Sequence, residues 1–455
     1  MGNRWRPRMA DLVKNTPKVL NLKDSMKVLF LASWYPMNGR SGNGIFAIRQ
    51  AEALAQAYRR SGRSVTVDVM AVQPRAWTGG RVQILGEVPG GPDRTTQTGG
   101  LRHWLLSYRD GRGGLLSMID QCGAWIRLFR AYRRHHGDRP TVVVAQVAWK
   151  AAVVALLLGR PYGVMEHWSG YLEKEPPLKP ITKWLVRRSL RNARSVAAVS
   201  PWLADALMQF CSGLRVSTLP NVIEEVHWTP PAGEWPAGEW PAGEWPAGEE
   251  PAGEGAAGEE PAGEEPAGEG AAGPEPLRDP RVFLHVSDLA PVKNPRLLFG
   301  AWAQSGLSDQ GYRLRVAGEY SQESKAIDAE VKGVEWLGIL SPSELCYQLR
   351  SSRALLLSSH RETFSILAGE ALLNGCYVWT SYPPLRAFYQ GLDGLVSLPD
   401  DQILTWSLAL QEAAASNPPP WNTPQAVRLV QERLKPYRIH EAGQAMLSWI
   451  DAWKP

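Results

Sequence analysis

Cysteine is scarce in this 455-residue sequence, and the four present form no pattern. Cys122, Cys211, Cys346 and Cys376 are far apart, make no Cys-x-x-Cys pair and fit no zinc spacing. That excludes a cysteine-built zinc module and a disulfide framework, and reads as reduced thiols in a cytoplasmic protein. Long apolar runs are missing too. Residues 141–158 come nearest and are interrupted by Gln146 and Lys150, so a membrane-spanning helix is not expected. The first 25 residues carry charges throughout and lack a compact apolar stretch ending at small residues, which predicts no secretory leader. Met1-Gly2 opens like a myristoylation site, but Arg6 stands where Ser or Thr is needed. What remains is ordinary globular material, 44% hydrophobic and 21% charged, long enough for two or three domains.

Charge is unevenly spread. Between Pro231 and Pro276 there are twelve Glu and no Asp, Lys or Arg, so the rest of the chain holds 50 basic against 33 acidic side chains, a surplus of 17. Such a surface suits anionic partners without choosing among nucleotide phosphates, phospholipid headgroups and nucleic acid. The acidic stretch itself is eight consecutive pentads over residues 231–270, beginning with three copies of Pro-Ala-Gly-Glu-Trp. This composition buries too little apolar surface to offset chain entropy, so it reads as a disordered linker. Trp235, Trp240 and Trp245 suit either a docking role or simple repeat expansion in a tolerant loop.

On either side, short apolar strands alternate with helical patterns. In the first half, strands are expected at 27–33, 65–71, 141–145, 161–166 and 195–199, with a helix whose apolar face is Ala47, Ala51, Leu54, Ala55 and Tyr58. In the second half they are expected at 281–287, 312–317, 334–337, 353–359 and 377–380. There Asn294 is a helix N-cap followed by Pro295, Ser341-Pro-Ser-Glu344 is a capping box, and a helix spans 365–374. Alternation of this kind implies parallel sheets with helices on both faces. The division is therefore a basic extension (1–25), a first domain (26–228), the repeat linker (229–278) and a second domain (279–455). Met26 could be the true start, and the helical pattern at 438–453 could pack on either domain.

Ligands of open parallel sheets bind beyond the carboxyl ends of the strands. After the strand ending at Ser359 come His360, Arg361, Glu362, Thr363 and Phe364, and Glu370 lies in the next helix. The amides of Phe364, Ser365 and Ile366 at that helix start suit a diphosphate. On spacing alone, an exposed loop Glu and a solvated helix Glu explain the two acids at least as well. Lys293 could neutralise phosphate or simply be solvated. His167, after residues 162–166, could meet a substrate hydroxyl or be a satisfied structural histidine. The loop Asn38-Gly-Arg-Ser-Gly-Asn-Gly44 allows close backbone approach but is not Gly-x-Gly-x-x-Gly.

Taken together and in order, these segments resemble the GT-B glycosyltransferases of the retaining family 4 type. The most specific element is Glu362, seven residues, then Glu370 within the stretch from Ser358 to Gly375. Ser33-Trp-Tyr-Pro, Gly44-Ile-Phe, Arg49-Gln-Ala-Glu-Ala-Leu54, Glu166-His-Trp-Ser-Gly-Tyr171, Val199-Ser-Pro, Leu219-Pro-Asn-Val222 and His285 to Asn294 complete the collinear set. The resemblance implies two Rossmann-like, doubly wound α/β domains facing across a cleft that closes on substrate. It implies Lys293 on the donor diphosphate, Glu370 on the ribose, Glu362 on the donor sugar, and His167 with the Gly44 loop from the opposite domain. The pattern departs in two places. Ser287-Asp-Leu stands where many members have Gly-Arg-Leu, so Asp288 replaces a phosphate-binding Arg, a charge that Arg361 could restore. Thr363-Phe-Ser365 stands for Gly-Phe-Gly.

The expected activity is retaining transfer of a sugar from a nucleotide diphosphate sugar to a glycan or lipid-linked acceptor in cell-surface polysaccharide assembly, with no cofactor and no obligatory metal. Two rivals are a nucleotide-sugar 2-epimerase, which would need no acceptor, and a degenerate scaffold that binds sugar nucleotide or membrane. No nucleic-acid reader motif accompanies the positive charge. Lys183, Arg187, Arg191 and Arg194 recur beside Trp184 and Leu185, and Arg127, Arg130 and Arg134 near Phe129 and Tyr132. Either stripe could rest on an anionic membrane at its inner face or be a solvated helix surface.

Overall fold

The computed structural model describes residues 26–35, 44–75, 83–85, 101–109, 114–136, 142–159, 161–228, 278–318, 331–416 and 423–453. The amino-terminal extension, the pentad segment and residues 36–43 lie outside them. The chain divides into two compact units, one comprising Met1–Glu225, His360–Ile366 and Arg433–Pro455, the other Val226–Ser359 and Leu367–Glu432. Each unit holds one sheet.

The first sheet has eight strands: β1 (Met26–Ala32), β2 (Val65–Arg75), β3 (Gln83–Leu85), β4 (Arg102–Arg109), β5 (Val142–Gln146), β6 (Tyr162–Glu166), β7 (Ser195–Ala198) and β8 (Val216–Thr218). Their order is β3-β4-β2-β1-β5-β6-β7-β8, parallel throughout except for the β3–β4 pair. The chain builds one way from β1 and then the other, which puts a topological switch point between β1 and β5. The continuous apolar runs are explained by burial on both faces: every residue of β5 and β6 is buried, as are Val28 to Ala32 in β1. All five residues expected on the apolar face of helix Ile45–Arg60 are buried. Asp68, a carboxylate buried in β2 of this sheet, accepts hydrogen bonds from Trp104 Nε1 at 3.3 Å and Tyr132 Oη at 3.1 Å, which offset the cost of burying it.

The terminal helix Ile439–Trp453 packs on this first unit, a choice its sequence left open; the 279–455 division had carried it with the second domain. Gly443 allows the approach, since a Cβ there would lie 2.2 Å from the Ala53 carbonyl oxygen. Trp449 Nε1 donates to Ser195 Oγ at 2.8 Å, and Arg63 pairs with Asp451 at 2.8 Å.

The second sheet contains β9 (Asp279–Val286), β10 (Arg313–Ala317), β11 (Val334–Gly338), β12 (Ser352–Leu357), β13 (Tyr377–Thr380) and β14 (Leu395–Ser397), ordered β11-β10-β9-β12-β13-β14 and all parallel. Read by position this is 3-2-1-4-5-6, the doubly wound order of dinucleotide-binding sheets, with its switch point between β9 and β12. Phe283 meets Trp302 and Trp379 edge-on in the core. Asn294 caps helix Pro295–Ser305 through its side chain, and both halves of the Ser341–Glu344 capping box are formed. Both units are thus the doubly wound α/β folds that the alternation predicts.

Four strands escape the sequence reading. β3, β8 and β14 are only three residues long, and β4 hides its apolar centre between Arg102 and Arg109.

Candidate active site

The loops after β9 and β12 flank the switch point of the second sheet, and hydrogen bonds fix both. His285, buried in β9, lies 2.8 Å from the Leu356 carbonyl through Nδ1, which must therefore carry the proton. Nε2 is then an acceptor for the Ser287 hydroxyl at 2.7 Å, while Ser287 Oγ accepts from Leu289 N at 3.0 Å. Asp288 is exposed and accepts from Ala290 N, so it shapes its own turn. The loop ends at Lys293, whose carbonyl accepts from Ser358 Oγ at 2.8 Å. The Lys293 turn is thereby tied to the first residue after β12.

Glu370 is not a solvated helix residue: it is 4% exposed. Its carboxylate lies 3.5 Å from Nε2 of His227, a residue that is itself 1% exposed and comes from the segment just before the pentads. Asn374 decides which imidazole nitrogen faces the acid. Its Oδ1 accepts from Arg350 Nε at 2.9 Å and Cys346 Sγ at 3.1 Å, so Nδ2 is the group 2.8 Å from His227 Nδ1. With Nδ1 accepting, the proton of the neutral ring sits on Nε2, the nitrogen 3.5 Å from the Glu370 carboxylate. The same Nδ2 donates to the Glu370 carbonyl. Sequence reading missed His227 and Asn374 as site residues, because neither lies beside a strand end.

The segment His360–Ile366 belongs to the first unit. Phe364 is 1% exposed and stacks on Tyr437 at 4.2 Å, so its ring anchors the loop while its backbone precedes helix Ile366–Leu373. Trp202 Nε1 donates to the Glu362 carbonyl at 2.8 Å, and the Glu362 side chain is 8% exposed. Arg361 pairs with Glu173 at 2.9 Å, which draws off the charge expected to replace the lost phosphate-binding Arg. Ser365 takes φ 57°, the left-handed region where the family pattern has Gly.

Around the first sheet's switch point, Ser33 Oγ donates to the Gln146 carbonyl at 2.6 Å and accepts from Ala151 N at 3.3 Å. β5 runs into a π-helical turn, Val147–Ala152, that begins with Val147 at φ 77°. Glu166 is fully buried. It accepts 2.8 Å hydrogen bonds from the amides of Ala148, His167 and Trp168, yet burial still pushes its carboxyl up to about 7. His167 stacks on Phe46 at 4.1 Å, and burial lowers its pKa to about 3, so the ring is neutral. Its Nε2 is buried with no hydrogen-bond partner. Gly44, at the N-cap of the helix that carries Phe46, packs so closely on the Trp34 backbone that a Cβ there would lie 2.4 Å from its carbonyl atoms. Thus the structure gathers Gly44 and His167 in one unit and Lys293 and Glu370 in the other.

Comparison with known proteins agrees with this architecture. Residues 47–221 match the family model of the glycosyl transferase 4-like domain, and residues 273–386 that of the glycosyl transferases group 1. With one model on each sheet, the chain belongs to the GT-B glycosyltransferases. Among solved structures it is similar to the sucrose-phosphate synthase of Thermosynechococcus elongatus (TM-score 0.63, 14% identity, 94% of this chain and 98% of that one). It is likewise similar to a structure described as trehalose-6-phosphate from E. coli bound with UDP-2-fluoro glucose (TM-score 0.58, 10% identity, 93% and 98%). A glycosyltransferase from Rickettsia africae gives a TM-score of 0.56 at 10% identity, over 94% and 98%. No curated protein matches the chain by sequence.

Proposed function

We propose that this glycosyltransferase moves a sugar from a nucleotide diphosphate sugar to a glycan or lipid-linked acceptor, with retention at the anomeric carbon, in cell-surface polysaccharide assembly. The observation that carries the reading is the second sheet's switch point, where the Lys293 turn is bonded to Ser358 and Glu370 is held in the helix that follows. Lys293 and the amides of Phe364 to Ile366 stabilise the negative charge that grows on the departing diphosphate, in place of an obligatory metal. Glu370 accepts from a ribose hydroxyl and Glu362 from the donor sugar. Neutral His167, whose Nε2 has no hydrogen-bond partner in the fold, meets a sugar hydroxyl. The test is a screen of nucleotide diphosphate sugars for binding and slow hydrolysis, followed by Lys293→Ala and Glu362→Ala with the donor found. Each variant should lose about 100-fold in turnover, the scale for one charge-stabilising group; unchanged turnover would remove the assigned role.

Attachment to an anionic membrane surface at the cytoplasmic face is part of the same proposal. Among the described residues, no helix is long and apolar enough to cross a bilayer. Helix Pro180–Asn192 instead borders a groove of about 700 Å³ lined by Lys183, Arg187, Arg188 and Arg191, with Trp184 55% and Ile181 64% exposed. The second basic stripe fits less well, since Phe129 and Tyr132 are buried in the unit's core. Cosedimentation with anionic vesicles that is lost in a Lys183→Glu, Arg191→Glu double variant supports attachment through this helix; no cosedimentation at low salt refutes it.

A further inference from the structure

The π-helical turn after β5 carries two polar groups that have no hydrogen-bond or ion-pair partner among the described residues. The Lys150 ammonium is half-buried, 4.5 Å from the Trp149 ring centroid and 5.3 Å from that of Trp34. It pairs with no carboxylate among the described residues, and the segment 36–43 that follows Trp34 and Tyr35 contains no Asp or Glu. Trp149 Nε1 is buried without a hydrogen-bond partner. An ammonium taken from water without an anion is costly, and indole faces offset only part of that cost. Burial accordingly lowers the Lys150 pKa. The backbone beneath is equally unfavourable on its own account: a β-branched Val147 at positive φ opens the turn, and hydrogen bonds from Ala148 N to Glu166 and from Ala151 N to Ser33 hold it in place.

These groups sit in a continuous set of rings at the carboxyl edge of the sheet. Trp149 is 5.6 Å from Trp168, Trp34 is 6.2 Å from Phe46, and Phe46 stacks on His167. Lys150 bridges the two groups of rings. The arrangement offers a charged donor beside flat apolar rings, and it lies at the switch point of the unit that does not contain Lys293.

We propose that Lys150, between Trp34 and Trp149, binds an anionic group of the acceptor, so that the acceptor is a phosphate- or carboxylate-bearing sugar. This rests on the glycosyl-transfer reading above. The ammonium meets the anion's oxygens, and the rings beside it border the sugar.

The experiment titrates glucose 6-phosphate, glucuronate and glucose into the full chain and into its Lys150→Gln and Lys150→Met variants, the latter keeping the stem between the indoles. The two anionic sugars should bind at least tenfold tighter than glucose, and both variants should lose that tenfold advantage without losing glucose. Preference for glucose 6-phosphate identifies phosphate as the anion, and preference for glucuronate identifies carboxylate. Equal affinity for charged and neutral sugars overturns the proposal. So does a variant that loses nucleoside diphosphate binding but keeps the anionic sugars, which would give Lys150 to the donor. If the chain neither binds nor hydrolyses any nucleotide sugar, yet needs Lys150 for anionic sugars, the transfer reading fails and this subsite stands.

Discussion

Replacing His227 separates the packing role of the Glu370 network from its binding role. In His227→Ala the 2.8 Å bond from Asn374 is lost, worth about 1 kcal/mol. The 3.5 Å approach of Nε2 to Glu370 is too long for a full hydrogen bond, so its loss adds little to the stability change. The void left by the ring adds about 1 kcal/mol more. About 2 kcal/mol corresponds to a fall of about 4–8 °C in the melting of a unit this size. His227→Asn places a carbonyl oxygen near the Nδ1 position and keeps Asn374 satisfied, but cannot reach Glu370. His227→Gln extends its amide toward the carboxylate. If Nε2 aims Glu370 at a ribose hydroxyl, the Asn variant should bind a nucleoside diphosphate about tenfold more weakly, equivalent to about 1.4 kcal/mol, and the Gln variant close to normally. The assay is calorimetry with the best-binding diphosphate and its 2′,3′-dideoxy form, for which all three proteins should agree. An Asn variant that weakens both ligands alike would reduce His227 to a packing residue and refute the reasoning.

Three further outcomes follow from the geometry. Glu166, held up at about 7 against an ordinary 4.5, binds its proton more tightly folded than unfolded, so its contribution is full below pH 4.5 and declines as pH rises to 7. His167, held down at about 3 against 6.5, contributes above pH 6.5 and loses it as pH falls, so the two oppose each other between 4.5 and 6.5. The penalty of Glu166→Gln in urea denaturation should therefore shrink by up to about 1.4 kcal/mol per pH unit on going from 4.5 to 7, and a constant penalty would contradict the assigned shift. Gly443→Ala should cost about 1–3 kcal/mol in thermal denaturation, because its methyl would enter the Ala53 carbonyl; a neutral result would deny that the helix lies so close. At φ 57°, Ser365→Gly should change stability by less than about 0.5 kcal/mol, the relief of strain being offset by glycine's chain entropy, whereas Ser365→Ile should cost about 1–3 kcal/mol. Equal melting of the two variants would refute the strained backbone.

Legibility in the sequence followed burial. β5, β6, β12 and β13 are buried almost throughout, so their apolar runs stand out, and local chemistry announced the Asn294 and Ser341 caps. Glu362, Glu370, Lys293 and His167 stand out as candidates in the sequence because each follows a strand end or belongs to a spaced motif. What was hidden depends on pairing between distant segments. His227 meets Glu370 across 143 positions, Ser358 meets Lys293 across 65, and the Lys150 ammonium lies over Trp34, which no periodicity reports. The burial of Glu370 was invisible for the same reason, since its covering residue is supplied by a different part of the chain.

The terminal helix has a consequence for how the molecule is made. Gly443, Trp449 and Asp451 make contacts that the first sheet lacks until residues 439–453 have been synthesised, by which time the strands of the second sheet are already made. The half translated first is thus the half completed last, and until Ile439–Trp453 arrives the flank that it covers stays open to water.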